Sequence, residues 1–253
     1  MPTASRSAPP ARRTSYFALS RSHRYSIVFA LPLLIGYETL AALLAQPGHA
    51  ELRNGADAIL RSLFVAVAGA NGSLVFMAAI ILVGLGLVIR DLRASRDRIR
   101  PVIFAGMLGE SIALAAAFGI VVGLATAKFL GTLHALSLGP IEQTSWLTRL
   151  MLSLGAGLYE ELFFRVLLVG GLAAGARLLL GFGRRSAGFL AAVVGAVIFS
   201  AFHYIGPYGD PFQLQSFVFR MLSGLAFSAL YLVRGFGVTA WTHALYDAFL
   251  LLA

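Results

Sequence analysis

Seven apolar runs, each near the length that crosses a bilayer, dominate this chain of 253 residues, at about 26–45, 73–89, 102–124, 148–174, 187–204, 215–233 and 237–252. About 20 apolar residues in α-helical form cross the hydrocarbon, and in lipid each backbone N–H and C=O must find its partner within the segment, which leaves helices. The rest of the composition agrees, with 58% hydrophobic residues, 12% charged residues and a mean hydropathy of +0.83. The expected fold is all-α: a polytopic helical membrane protein of roughly seven transmembrane helices enclosing an intramembrane active-site cavity. With no cysteine, disulfides, a thiolate nucleophile and thiolate metal ligands are excluded.

The formal net charge is +9. Basic residues cluster beside the apolar runs, so the charge reads as a topology signal rather than as a nucleic-acid surface. Arg6, Arg12, Arg13, Arg21 and Arg24 precede the first run, while Arg90, Arg93, Arg96, Arg98 and Arg100 follow the second. Arg177, Arg184 and Arg185 follow the fourth and Arg234 the sixth, so that 14 of the 20 Lys and Arg residues fall on one side. By the positive-inside rule that side, with the N-terminus, is cytoplasmic. Residues 1–24, rich in Ser, Ala, Pro and Arg, are expected to be a disordered basic cytoplasmic tail, and residues 25–253 a single integral-membrane domain. Pro32 and Glu38 within the first run, and its length, favour a span over a signal peptide ending near Gly48-His49-Ala50. Residues 52–69, with Asp57 and Arg61 one turn apart, read as an interfacial helix outside the membrane. Gly119-x-x-x-Gly123 and Gly171-x-x-x-Gly175 read as helix-packing positions.

Charged groups inside apolar runs carry the functional argument, because each costs roughly 2.5 kcal/mol or more at the bilayer centre. Arg149 at the edge of its run apart, the runs hold Glu38, Glu110, Glu160, Glu161 and Asp247, two arginines (Arg165 and Arg220) and two histidines (His203 and His243). Two guanidiniums cannot neutralise five carboxylates, so at least one acid must be protonated, paired with a histidinium or open to water. Glu161 and Arg165, at i and i+4, share a helix face and read as an ion pair. Glu160 lies about 100° round the helix and is left as the working acid. Phe199 sits one turn before His203, and a carboxylate at Asp247, one turn after His243, can fix that imidazole's tautomer. Glu38, Glu110 and Arg220 are expected to pair between helices. Glu160 and His203 fall toward the outer half of their runs and His243 toward the cytoplasmic end, so they can converge only near mid-membrane.

The motifs Glu160-Glu161-x-x-x-Arg165, Phe199-x-x-x-His203 and His243-x-x-x-Asp247, in this order and within helices, resemble the three signatures of the CAAX-protease and bacteriocin-processing (CPBP, or Abi) family of intramembrane endopeptidases, which includes the Ras-converting CAAX endopeptidase. The resemblance covers about residues 147–253, the catalytic core, and nothing recognisable covers residues 1–146. It implies an endopeptidase in which Glu160 is the general base that deprotonates water, His203 holds that water, and His243 with the residue four further on stabilises the oxyanion. Glu161, Arg165 and Phe199 would support them. The family's pattern commonly has Asn where this chain has Asp247. An ionised Asp cannot donate a hydrogen bond to an oxyanion; it can if protonated, or it can orient His243 instead, and both roles stay open.

Two histidines and a glutamate can also bind zinc, and the family has been labelled metalloprotease. No His-Glu-x-x-His pair occurs here and the histidines are 40 residues apart, so the expectation is a glutamic-type mechanism without a cofactor, with zinc as the alternative. The expected function is hydrolysis of a peptide bond near the C-terminus of a membrane-associated peptide or protein, in a multi-pass protein of a bacterial inner membrane. A non-catalytic scaffold or immunity protein and a proton-coupled transporter are the competing readings, and the absence of an internal repeat counts against the last.

Overall fold

The computed structural model describes residues 15–45, 52–94, 98–130, 144–206 and 209–252, and among them all regular structure is helical. The helices are α1 (Tyr16–Ser20), α2 (His23–Leu44), α3 (Gly55–Ala68), α4 (Gly72–Ala94), α5 (Pro101–Leu130), α6 (Trp146–Gly155), a π-helical segment (Ala156–Val169), α7 (Gly170–Leu180), α8 (Arg184–Phe202), α9 (Leu214–Arg234) and α10 (Phe236–Leu252). Six stretches are long and apolar enough to cross a membrane: α2, α3 with α4, α5, α6 through α7, α8 and α9. The protein is a multi-pass integral membrane protein. The last expected span is α10, whose 17 residues are about 26 Å of helix. It lies in the middle of the bundle, with Val238, Thr239, Ala240 and Thr242 fully buried, and packs against α2, α5, α6, α9 and the π-helical segment.

Outer faces carry the apolar residues that a soluble protein would bury. Ile81, Leu82 and Val83 of α4, and Val102, Ile120 and Phe129 of α5, stand exposed, as lipid-facing side chains do. Inside, Leu33, Tyr37, Met151, Tyr159, Ala240 and Ala244 form one core across α2, α6, the π-helical segment and α10. α3 turns back on α4, which brings the rings of Phe64 and Phe76 to 5.3 Å. Of the expected packing glycines, only Gly119 is closely approached, by the Tyr246 ring. A Cβ at Gly123, Gly171 or Gly175 would meet nothing within 4 Å among the described residues.

Residues 1–14 of the expected tail lie outside the described residues. Residues 15–24 are folded, because α1 docks on the bundle: Tyr16 donates to Glu110 at 2.6 Å, and Arg24 is buried beside Asp91. Burial, and then the neighbouring Glu110, push the Tyr16 phenol to about 12, so it remains a donor at neutral pH. The expected interhelical pairing holds for Glu38 and Glu110, whereas Arg220 pairs with Asp210 of the loop just ahead of its own helix. Glu38 takes Arg61 at 2.5 Å and Arg53 at 3.3 Å, and Glu110 takes Arg234 at 2.5 Å. Arg53, Arg61 and Arg234, all outside the expected spans, therefore help neutralise half-buried acids. Arg61 also bonds Asp57 at 2.6 Å, the i, i+4 pair read from the spacing.

Candidate active site

Glu160, Glu161 and Arg165 lie on the π-helical segment, where backbone bonding runs five residues back, as from Gly170 N–H to the Arg165 carbonyl. Such segments are rare and recur at functional sites. A single contact of 3.2 Å joins Glu161 and Arg165. The guanidinium instead lies over the ring of Phe199 at 4.4 Å and near that of Phe227 at 5.4 Å. Two glycines let other helices close on the carboxylates. A Cβ at Gly157 would come within 2.3 Å of the Ala240 carbonyl oxygen, and one at Gly155 within 2.5 Å of the Tyr37 ring. α10 and α2 therefore abut the segment directly.

Each histidine is held through Nδ1. α8 ends at Phe202, and the His203 backbone N–H bonds the Ser200 carbonyl at 3.2 Å rather than that of Phe199. The freed Phe199 carbonyl accepts from His203 Nδ1 at 2.9 Å. A carbonyl only accepts, so Nδ1 carries the proton and the neutral ring presents Nε2 as an acceptor. The Phe199 and His203 rings lie 4.9 Å apart, edge to face. On α10, His243 Nδ1 contacts Glu161 Oε1 at 2.7 Å, the ring stacks on Phe227 at 4.2 Å, and Nε2 lies 3.5 Å from Asp247 Oδ2. Glu161, ion-paired to Arg165, acts as the acceptor in that bond, which places the proton on Nδ1. The carboxylate that sets this tautomer is thus Glu161, 82 residues away, rather than Asp247 as the spacing suggested.

Glu160 lies within electrostatic reach of both His203 and His243 in spite of their different depths in the sequence reading. Phe199 bridges the histidines, its ring 6.4 Å from that of His243. One partner was not foreseen. Asn54, ahead of α3, donates from Nδ2 to Glu160 Oε1 at 2.8 Å. It caps α3 through Oδ1, and nothing in the sequence ties it to a residue 106 positions on. Among the described residues no three His, Asp or Glu side chains gather in a way that could hold a metal ion. The donor types for zinc are present, and each histidine keeps Nε2 free while its Nδ1 is held by the protein, as in metal-ligating histidines; Glu160 Oε1 is taken by Asn54.

Residues 142–249 match the family model described as type II CAAX prenyl endopeptidase, Rce1-like. The resemblance carried by the three motifs is borne out over this stretch, which holds Glu160, Glu161, Arg165, Phe199, His203, His243 and Asp247. Asn54 and the helices α1 to α5 lie outside it. Among curated proteins and among solved structures, nothing matches the chain.

Proposed function

We propose that this protein is an intramembrane endopeptidase of the CAAX-protease type, cutting a membrane-associated peptide or protein near its C-terminus. The observation that carries the reading is the pair of proton acceptors formed by Glu160 and His203 Nε2, set in a membrane-spanning bundle. A water between two acceptors donates a hydrogen to each and is left with its lone pairs toward a third group, the scissile carbonyl. Glu160 takes the proton as the water oxygen attacks, a role in which a positioned base contributes about 100- to 10,000-fold. His243, as an imidazolium whose Nδ1–H is held by Glu161, donates from Nε2–H to the developing oxyanion beside Asp247, and Glu160 returns the proton to the leaving amine as the C–N bond breaks. Glu161 and Arg165 hold His243 and balance its charge. The arginine-rich N-terminus and loops are cytoplasmic by the positive-inside rule.

The mechanism is of the glutamic type, supported by the spacing of the described His, Asp and Glu side chains, no three of which gather to hold an ion. Exhaustive chelation should leave turnover intact; stoichiometric zinc tracking with activity would replace this mechanism with a metal-assisted one. The function itself is tested by comparing the C-termini and released peptides of membranes carrying wild-type protein or Glu160→Gln. A set of termini that appears only with Glu160 is expected, and its members identify the substrate, prenylated or unmodified. Identical termini in the two membranes would leave the bundle as a scaffold.

A further inference from the structure

Asn54 lies outside the stretch that matches the protease family, yet it contacts the candidate base. Its side chain is unambiguous in orientation. Oδ1 accepts from the Ala56 backbone N–H at 2.9 Å, which caps α3, so the amide nitrogen is the atom 2.8 Å from Glu160 Oε1. The residue is 6% exposed, and its own backbone N–H donates to the Tyr37 hydroxyl at 3.0 Å. That hydroxyl donates to Asp57 Oδ2 at 2.8 Å, and Asp57, fully buried, is gripped by Arg61 at 2.6 Å and Arg53 at 3.1 Å. Glu38 closes the network, receiving Arg61, Arg53 and the Tyr159 hydroxyl at 2.7 Å. Tyr159 precedes Glu160 in the chain, so the network holds the base from both its backbone and its side chain.

We infer that Asn54 is the positioning residue of Glu160: the N-terminal helices, through the Glu38–Arg53–Asp57–Arg61 cluster, present one neutral amide donor that fixes which carboxylate oxygen faces the water. The inference rests on Glu160 being the base. A donor on Oε1 leaves Oε2 as the free acceptor and removes rotation of the carboxylate. A neutral amide does this without the full positive charge that would blunt a base. An arginine at this place would pair with Glu160 as Arg234 pairs with Glu110.

Two substitutions separate this role from capping. Asn54→Ser and Asn54→Asp both keep a good helix-capping oxygen, but neither supplies the amide donor to Glu160. Asn54→Ser adds no charge, so it remains informative if Asn54→Asp misfolds. The readouts are the initial rate at which Glu160-dependent termini appear in membranes, thermal unfolding in detergent, and the infrared carboxylate band that vanishes in Glu160→Gln. Both variants should unfold near the wild-type temperature and lose about 100-fold in rate, the scale of a misplacement near 1 Å. The Glu160 band should shift in Asn54→Ser. Wild-type rates and an unmoved band in Asn54→Ser would make Asn54 a helix cap only, while leaving the function of Glu160 intact. Absence of any Glu160-dependent terminus would overturn the reading of function and this inference with it.

Discussion

Arg234 and Arg165 each meet a glutamate inside the bundle, and the two pairs are built in opposite ways. Arg234, at the end of α9, holds Glu110 of α5 with both arms of its fork, Nε to Oε1 at 2.5 Å and Nη2 to Oε2 at 2.6 Å. Ser20 and Tyr16 add bonds at 2.9 and 2.6 Å, so α1, α5 and α9 are tied at one point. Arg165 touches Glu161 once, at 3.2 Å, and its nitrogens find no hydrogen-bond partner among the described residues. Its guanidinium rests on aromatic rings, and the short bond of Glu161 goes to His243 instead. A bidentate pair fixes geometry and adds stability. A carboxylate shared between an arginine and an imidazole does less for the fold, and it gives the imidazole a fixed orientation and a counter-charge. The loose pair is the one beside the proposed base, Glu160.

The largest effect is expected at the group this arrangement serves. Glu160→Gln keeps the volume and removes the base, so the rate of forming product termini should fall by up to about 10,000-fold, with the protein still folded in the membrane. Retention of activity in that variant would place the chemistry elsewhere.

The same exchange in the two glutamates that face arginines tests the comparison itself. Glu110→Gln breaks a bidentate, mostly buried pair and should cost about 3 kcal/mol of stability in denaturant or thermal unfolding, with an unchanged rate per folded molecule. Glu161→Gln leaves Arg165 without its counter-ion and His243 without a charge behind it. The rate per folded molecule should then drop by about 100-fold or more, as when the carboxylate behind a catalytic histidine is neutralised. Equal losses of stability with no loss of rate in either variant would make both pairs structural and end the contrast.

Much of this was legible in the chain before any geometry. The apolar runs mark the helices because lipid permits little else, and the acids within them mark the proposed site because charge in hydrocarbon is costly. Helical spacing found Glu161–Arg165 and Asp57–Arg61, which lie one turn apart on one element. It could not find Glu161–His243, Asn54–Glu160 or Glu110–Arg234, whose partners sit 82, 106 and 124 positions apart on different helices. Nor does periodicity announce a π-helical turn, whose apolar pattern differs little from that of an α-helix over 14 residues. Arg234 was hidden for another reason: at a helix end, basic residues look like topology signals whether they face water or reach back to a buried acid.

The smallest effect is expected at Asp247, where this chain departs from the usual Asn. Spacing alone allowed Asp247 to orient His243, but Glu161 already holds Nδ1 at 2.7 Å, and Asp247 stands 3.5 Å from Nε2. An imidazole fixed from one side needs no second carboxylate to set its tautomer, which leaves Asp247 free to act on the oxyanion beside Nε2. Acting there requires a donated hydrogen, so Asp247 serves only while protonated, whereas Asn donates at every pH. Asp247→Asn should change the rate by less than about threefold and abolish the alkaline limb that Asp247 imposes on the rate–pH profile, whereas Asp247→Ala should lose the roughly 100-fold that an oxyanion donor is worth. An Asn variant impaired at all pH values would show instead that Asp247 works as a carboxylate on His243. Glu161 would then be the partner of Arg165 first and of the imidazole second, closer to Glu110 than its geometry indicates.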